Sequence, residues 1–438
     1  MNHAGLPTLR LLWHRSVLAC GIALAALCGA APGVVAAEPA AAAMTFGSYL
    51  NQVAQSNLEL AAQRANVPIA EAQVAIARVF PDPVITGGVS QLDVSGQAAP
   101  TVSTLGVTLQ LELGGKRGAR IAAASADTAV VRSELDDFLR RLRADAASAY
   151  IDALYARKVL ERKKTTLASL ERLVTVNEQR LNAGDIGEVA LIQSRVEAQR
   201  YQVEVSAAAA DVLAADLSLV QFLGRSVPEP GVPLQLGGEL RIPEHAFDAA
   251  ALITAALARP DVRARQQAVD AAAARVRLSR ANRWVDFTFN VSWQRSLFSE
   301  PFASPAYDAL AATLSLPLPL SRVFRGELAA AVHTELQAAS NRRSAELRAE
   351  IEVRKALSRY EAAVRQVRLY TQGVLVDADR VLAATLYSYQ RGAATLLEVL
   401  NAQRTVADVY LAYYGALADN ARHLIAVEQA AGIWDIDF

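Results

Sequence analysis

The sequence predicts a mainly α-helical fold with a small β part, built twice. Three observations carry this. Gly184–Gly224 and Gly392–Gly432 are glycine-bounded, alanine-rich helical stretches of equal length. A segment of about 60 residues, Ile121 to Arg180, runs without proline or glycine. Ahead of each long helical segment, short stretches alternate apolar with polar residues. The internal match extends upstream: Thr108–Leu113 aligns with Thr313–Leu318, and the amphipathic run ending at Arg78 aligns with the one ending at Arg280. The repeated unit is therefore about 205 residues, too long for a solenoid repeat and right for a duplicated domain.

The chain opens with Arg10, His14 and Arg15, then an apolar run from Ser16 to Val35 broken by Pro32 and Gly33, then Val35-Ala36-Ala37 before Glu38. This pattern predicts a secretory signal over residues 1–37, cleaved after Ala37. Both cysteines, Cys20 and Cys28, fall inside it. Leu27 before Cys28 is too bulky for a lipoprotein box, so neither an acyl anchor nor disulfides are expected, and burial with hydrogen bonding must hold the fold. The organisation expected after the signal is a first repeat over 38–224, a Pro- and Gly-rich linker over 225–247, and a second repeat over 248–438.

Each repeat reads as helix, hairpin, very long helix, sharp turn and returning helix. In the first, Phe46 to Val79 is expected to be helical with a break near Asn57 and a proline at Pro68. Leu58, Leu60, Ala61, Val74 and Ala77 supply an apolar stripe at helical spacing, and Phe80-Pro81-Asp82-Pro83 ends the helix. Two strands follow, Val84 to Leu92 and Val102 to Leu113. The second places Leu105, Val107, Leu109, Leu111 and Leu113 on one face and Thr104, Gly106, Thr108, Gln110 and Glu112 on the other. Its counterpart in the second repeat places Phe287, Phe289, Val291 and Trp293 on one face. Such period-two alternation means one dry and one wet face. Strands of about 9 to 12 residues fit a tilted membrane crossing.

A helix of about 60 residues would reach on the order of 90 Å, and propensity alone does not hold such a helix without lateral partners. The turn Leu181–Gly187 reverses it and a helix of about 35 residues returns. Two shorter helices stacked end to end beside one continuous helix account for these lengths. The second repeat does the same with Glu327–Ser388, the turn Tyr389–Thr395 and Leu396–Ala431.

Function classes narrow quickly. Lysine plus arginine and aspartate plus glutamate each number 44, with no basic cluster interleaved with aromatics, so nucleic-acid binding is not expected. No stretch of 18 apolar residues follows the signal, and strands are what remain for crossing a membrane. The histidines beyond the signal, His245, His333 and His423, are scattered, so neither a metal site nor a cofactor is expected. Gly114-Gly115-Lys116 lacks the spacing of a phosphate loop and reads as a strand-to-helix corner. No catalytic motif is present, and the chain does not read as an enzyme.

Four strands cannot close a membrane barrel, which needs about eight; three chains would supply twelve. The motifs Leu111-Glu-Leu-Gly-Gly-Lys-Arg117, Arg180-Leu181-x-x-Gly184 and Gly392-Ala-Ala-Thr-Leu-Leu-Glu-Val-Leu-Asn-Ala-Gln-Arg404 stand in order along the duplicated frame. In these features the chain resembles the TolC family of trimeric outer-membrane channels, and most of all the CzcC-like branch that serves cobalt-zinc-cadmium exporters. The resemblance covers essentially the whole mature chain. It implies a homotrimer with a twelve-stranded outer-membrane β-barrel continuous with a long α-helical periplasmic barrel. It also implies that a periplasmic adaptor (membrane fusion protein) meets the tunnel tip and that an inner-membrane RND pump supplies energy and substrate choice.

Under that resemblance the two reversals, with Gly184, Asp185, Arg391 and Gly392, are the adaptor-docking tips. Leu105, Val107, Leu109, Leu111, Phe287, Phe289, Val291 and Trp293 face outer-membrane lipid. Family members place acidic residues six and nine positions after the second tip glycine; these positions hold Glu398 and Asn401, so only Glu398 would form a charged ring at the aperture. The expected function is a passive exit duct for a heavy-metal pump. Its rivals are export of drugs, other small organic molecules or proteins by the same family, and a soluble periplasmic coiled-coil scaffold.

Overall fold

The computed structural model describes residues 43–91, 101–225, 234–240, 246–297, 306–318 and 324–436; the expected signal and His245 lie outside them. The incoming helix of the first repeat is two helices, α1 (Phe46–Ser56) and α2 (Leu58–Arg78). Asn57 makes the break. It is extended, caps α2 by accepting the Leu60 N–H at 2.8 Å, and donates its amide to the Phe222 carbonyl at 3.0 Å. Of the expected α2 stripe, Leu60 and Ala77 are buried, whereas Leu58 and Ala61 are exposed in the single chain.

Strands β1 (Val84–Gln91) and β2 (Thr101–Leu111) follow, then α3 (Lys116–Asn182), a single helix of 67 residues, and α4 (Glu188–Phe222). Strand β2 stops two residues short of Leu113, because the Leu113 N–H turns to Asp286 Oδ1 at 3.2 Å instead of a neighbouring strand. The second repeat comprises α5 (Ala249–Leu257), α6 (Pro260–Ala281), β3 (Phe287–Leu297), β4 (Tyr307–Ser315), α7 (Arg325–Leu369), α8 (Leu375–Gln390) and α9 (Leu396–Ala431). Helices α7 and α8 form one continuous rod with a π-helical turn, Tyr370–Val374, between them. The sequence carries no period change that would announce that turn.

The helices form a layer. Helix α3 packs against α2 and α4 on one side and α6 and α9 on the other, and α7–α8 packs outside α6 and α9. The shorter helices stack end to end, as their lengths require. Ser56 Oγ donates to the Leu223 carbonyl at 2.7 Å at the first junction, and Arg259 Nη1 donates to the Ala430 carbonyl at 2.9 Å at the second. The outer glycines of the duplication sit at these junctions, Gly224 at φ +61° and Gly432 at φ +74°. A Cβ at Gly224 would lie 2.5 Å from the Ser56 carbonyl oxygen, and one at Gly432 would lie 2.7 Å from Arg259 Cγ. Both backbone hand and space therefore demand glycine.

The main core lies mid-layer, where α1 packs against α3, and α5 packs against α7 and α9. Phe46 and Tyr49 of α1 and Leu252 of α5 are buried with Tyr150, Val353 and Leu424. The inter-repeat segment crosses here: Met44 pairs in parallel with Leu236, its N–H donating to Gln235 at 2.8 Å and its carbonyl accepting from Gly237 at 2.9 Å. The four strands form one antiparallel sheet in the order β1-β2-β3-β4.

Candidate functional site

The two helix reversals share one construction. Gly184 (φ +81°) and Gly392 (φ +75°) take the left-handed conformation that ends a helix. At the first, the Gly184 N–H donates to Leu181 at 2.9 Å and the Asp185 N–H to Arg180 at 2.9 Å; at the second, Gly392 donates to Tyr389 at 3.0 Å and Ala393 to Ser388 at 2.8 Å. A Cβ on either tip glycine would meet nothing within 4 Å. Asp185, Arg391 and both glycines are exposed. These are open turns, free of the crowding that fixes Gly224 and Gly432.

The tips are braced to each other by Arg180 and Arg404 of the quoted motifs and by partners, Asn177 and Glu197, that the sequence did not single out. Tyr389, buried just before the second turn, donates its hydroxyl to Oδ1 of fully buried Asn177 on α3 at 2.7 Å. Arg180 donates to the Tyr389 carbonyl at 3.1 Å and lies 4.7 Å from the centre of its ring. Leu170, Leu173, Val399 and Leu400 close a separate apolar cluster around them. Above it, Arg404 of α9 grips Glu197 of α4 at 2.7 and 3.0 Å, and this bond is the first cause of a Glu197 pKa below the ordinary value.

Glu398, expected at the aperture, is the third residue of a capping box. Its Oε2 accepts the Thr395 N–H at 2.6 Å, while Thr395 Oγ1 accepts the Glu398 N–H at 3.3 Å. The Thr395 N–H is the main cause, and the hydroxyl the second, of a carboxyl held below the ordinary glutamate value. Thr-x-x-Glu is a capping signature legible from the residue types alone. Asn401 is exposed, with its carbonyl accepting from Thr405 Oγ1 at 2.9 Å, and no hydrogen bond joins it to Glu398 among the described residues.

The sheet brings the eight expected apolar residues together in four direct cross-strand pairs: Leu105 with Trp293, Val107 with Val291, Leu109 with Phe289 and Leu111 with Phe287. Strand β4 extends the same face with Leu310 and Leu314 opposite Trp293 and Phe289. This apolar face is the open one, with Leu105 55%, Leu109 41% and Leu310 76% exposed. The other face carries Thr86, Gly106, Thr108, Asn290 and Ser292, with Asn290 donating to Thr108 at 2.8 Å. A soluble sheet shows the reverse, with apolar residues covered and polar ones wet.

The Gly-Gly-Lys-Arg corner fastens sheet to helices. Lys116 and Asp286 pair at 2.7 Å, Glu112 chelates Arg120 at 2.7 and 3.2 Å, and Arg120 also reaches the Ala77 and Val79 carbonyls at 3.1 Å each. Gly114, at φ +71°, leaves room for Trp284, whose atoms would lie 2.5 Å from any Cβ.

The sequence profile described as "Outer membrane efflux protein" matches residues 49–225 and again 252–433, once per repeat. The chain belongs to the outer membrane efflux protein family. Members of this efflux family are passive conduits of the outer membrane that extend into the periplasm, and this chain is an outer-membrane efflux channel and not an enzyme. It is 25% identical over 404 residues to the cobalt-zinc-cadmium resistance protein CzcC of Cupriavidus metallidurans, covering 90% of this chain and 91% of that protein. It is 24% identical to the outer membrane efflux protein BepC of Brucella suis, covering 91% and 88%. Among solved structures, CusC matches with TM-score 0.73 at 18% identity, covering 90% and 93%, and the open state of Neisseria gonorrhoeae MtrE matches with TM-score 0.71 at 20% identity, covering 89% of each. The shared fold is that of TolC-like channels.

No helix among the described residues is long and apolar enough to cross a membrane. The sheet is thus the element with a membrane-compatible surface.

Proposed function

We propose that this chain assembles as a homotrimer and forms the exit duct of a tripartite efflux system for heavy-metal cations of the cobalt-zinc-cadmium kind. The observation that carries the assembly is the four-stranded sheet itself. Its apolar face is open, β1 and β4 are unpaired edges within the chain, and four strands are too few to close. Three copies joined edge to edge supply twelve strands and place Leu105, Val107, Leu109, Leu111, Phe287, Phe289, Val291 and Trp293 against lipid. The braced tips, Gly184-Asp185 and Arg391-Gly392, then meet a periplasmic adaptor coupled to an inner-membrane RND pump. Glu398 of three copies rings the mouth.

The cargo assignment is supported by the 25% identity to CzcC over an alignment that covers nine-tenths of both chains. A second reading, export of small organic molecules, is favoured by 26% identity over 380 residues to the pyoverdine export outer membrane protein OpmQ of Pseudomonas putida. Growth of a deletion strain separates them. Sensitivity to cobalt, zinc and cadmium, restored by the wild-type gene and unaccompanied by sensitivity to organic compounds, is expected. Unchanged metal tolerance with drug or siderophore sensitivity would move the assignment to the second reading.

A further inference from the structure

A cleft of about 600 Å³ opens where α3, α6, α7 and α9 converge, and seven cationic against three anionic side chains line it. The three carboxylates are already engaged. Asp137 is held by Arg140 and Arg141 at 2.6 and 3.0 Å, and Arg259 holds both Asp261 and Glu352 at 2.6 and 2.8 Å. Among the described residues no carboxylate lies within ion-pair distance of Arg265, Arg348, Lys355 or Arg359. Glu134 lines the adjoining cleft beside Arg265 and Arg141 without closing on either. Four uncompensated positive charges therefore converge on one concavity, a shape that concentrates potential. His423 shares it, held below its ordinary pKa by burial first, with Arg359 and Arg422 acting in the same direction against Asp419.

The cleft has a defined side. At about 100° per residue, His423 stands about 200° around α9 from Ile425, which is buried in the core with Leu252 of α5. In a tube whose bore must stay open, the added layer lies outside and the uncovered face lines the duct.

We infer that this cleft is a binding site for a small multivalent oxyanion inside the duct, so that three copies form a positive collar halfway along it. The inference rests on the duct reading for its location and on the charges of this chain for its chemistry. It refines the cargo: metal crosses this level as an anionic carboxylate or phosphate complex, because a bare divalent cation is repelled by the collar.

Calorimetric titration of the detergent-purified full-length protein with citrate, and separately with pyrophosphate, tests it. The triple variant R348Q/K355Q/R359Q changes exposed side chains and leaves every ion pair named above in place. Wild type is expected to bind at least one of the two anions with salt-sensitive affinity, weakened about tenfold or more in the variant; which anion binds assigns carboxylate or phosphate chemistry. Absence of binding by wild type, or equal binding by the variant, overturns the inference. Reversal potentials in planar bilayers give the second readout, with the variant shifting towards cations. Conductance with neither anion bound sinks the collar and leaves the duct intact; charge-dependent binding without any conductance sinks the duct and leaves the site.

Discussion

At Glu398 the carboxylate already has a local partner before any neighbouring subunit arrives, since it closes a box with Thr395. Thr395→Ala should cost about 1 kcal/mol of stability at neutral pH, read by thermal unfolding. The folded Glu398 pKa is depressed, so its contribution is complete above the ordinary glutamate value of 4.5 and is lost as pH falls through the folded value. Glu398→Gln should flatten that acid dependence, and in bilayers it should alter cation preference if three carboxylates share the aperture. Glu428 behaves with the opposite sign. It is fully buried, its Oε1 has no hydrogen-bond partner among the described residues, and burial first, then the Asp435 side chain, raises its pKa to about 7. Its folded value exceeds its unfolded one, so the contribution of this group is complete below 4.5 and is lost as pH rises through about 7. Glu428→Gln should therefore remove a loss of melting temperature between pH 5 and 8; an identical pH profile in the variant would count against this.

The four glycines bounding the duplicated stretches separate at the level of elements. All four adopt positive φ, so alanine costs about 1 to 2 kcal/mol at any of them. Gly224 adds a collision with the Ser56 carbonyl, so Gly224→Ala should reduce folded yield, whereas Gly184→Ala and Gly392→Ala should assemble and fail, if anywhere, in export. Co-purification with the adaptor distinguishes the two classes. Within the sheet, Leu109→Arg should cost roughly 2 to 4 kcal/mol if that face meets lipid, and Thr108→Arg on the polar face should be tolerated. Equal damage at both positions would mean both faces are buried in protein. These faces were legible in the sequence because strand side chains alternate with a period of two, which no distant contact can shift without inverting every residue. Arg259 was not legible. Nothing near it in sequence signals that its guanidinium caps the end of α9, 171 residues away.

For the whole molecule, crosslinking of outer-membrane fractions should yield a three-chain product, and single cysteines placed on the β1 and β4 edges should form inter-chain disulfides. The mature chain expected after cleavage at Ala37 has no cysteine of its own, which makes that mapping clean. Recovery of a soluble monomer from the periplasm without detergent would overturn the trimer. The Lys116–Asp286 and Glu112–Arg120 pairs predict that sheet and helices melt together, because the corner ties β2 to α3, α2 and the start of β3.

Backbone hand and side-chain period are local properties, and those the sequence by itself determined: the duplication, the long helices, the two reversals at Gly184 and Gly392, and the dry face of the strands. End-to-end stacking was readable as well, since helix lengths must match when rods lie side by side. What only the tertiary structure decided depends on groups far apart in the chain. The Tyr389–Asn177 brace spans 212 positions, and the basic cleft draws its charged residues from three helices, α3, α6 and α7, between Asp137 and Arg359. Its arginines are individually unremarkable on a chain of zero net charge. They become a site because packing leads three carboxylates to neutralise Arg140, Arg141 and Arg259 and gathers Arg265 of α6 with Arg348, Lys355 and Arg359 of α7 around one cleft.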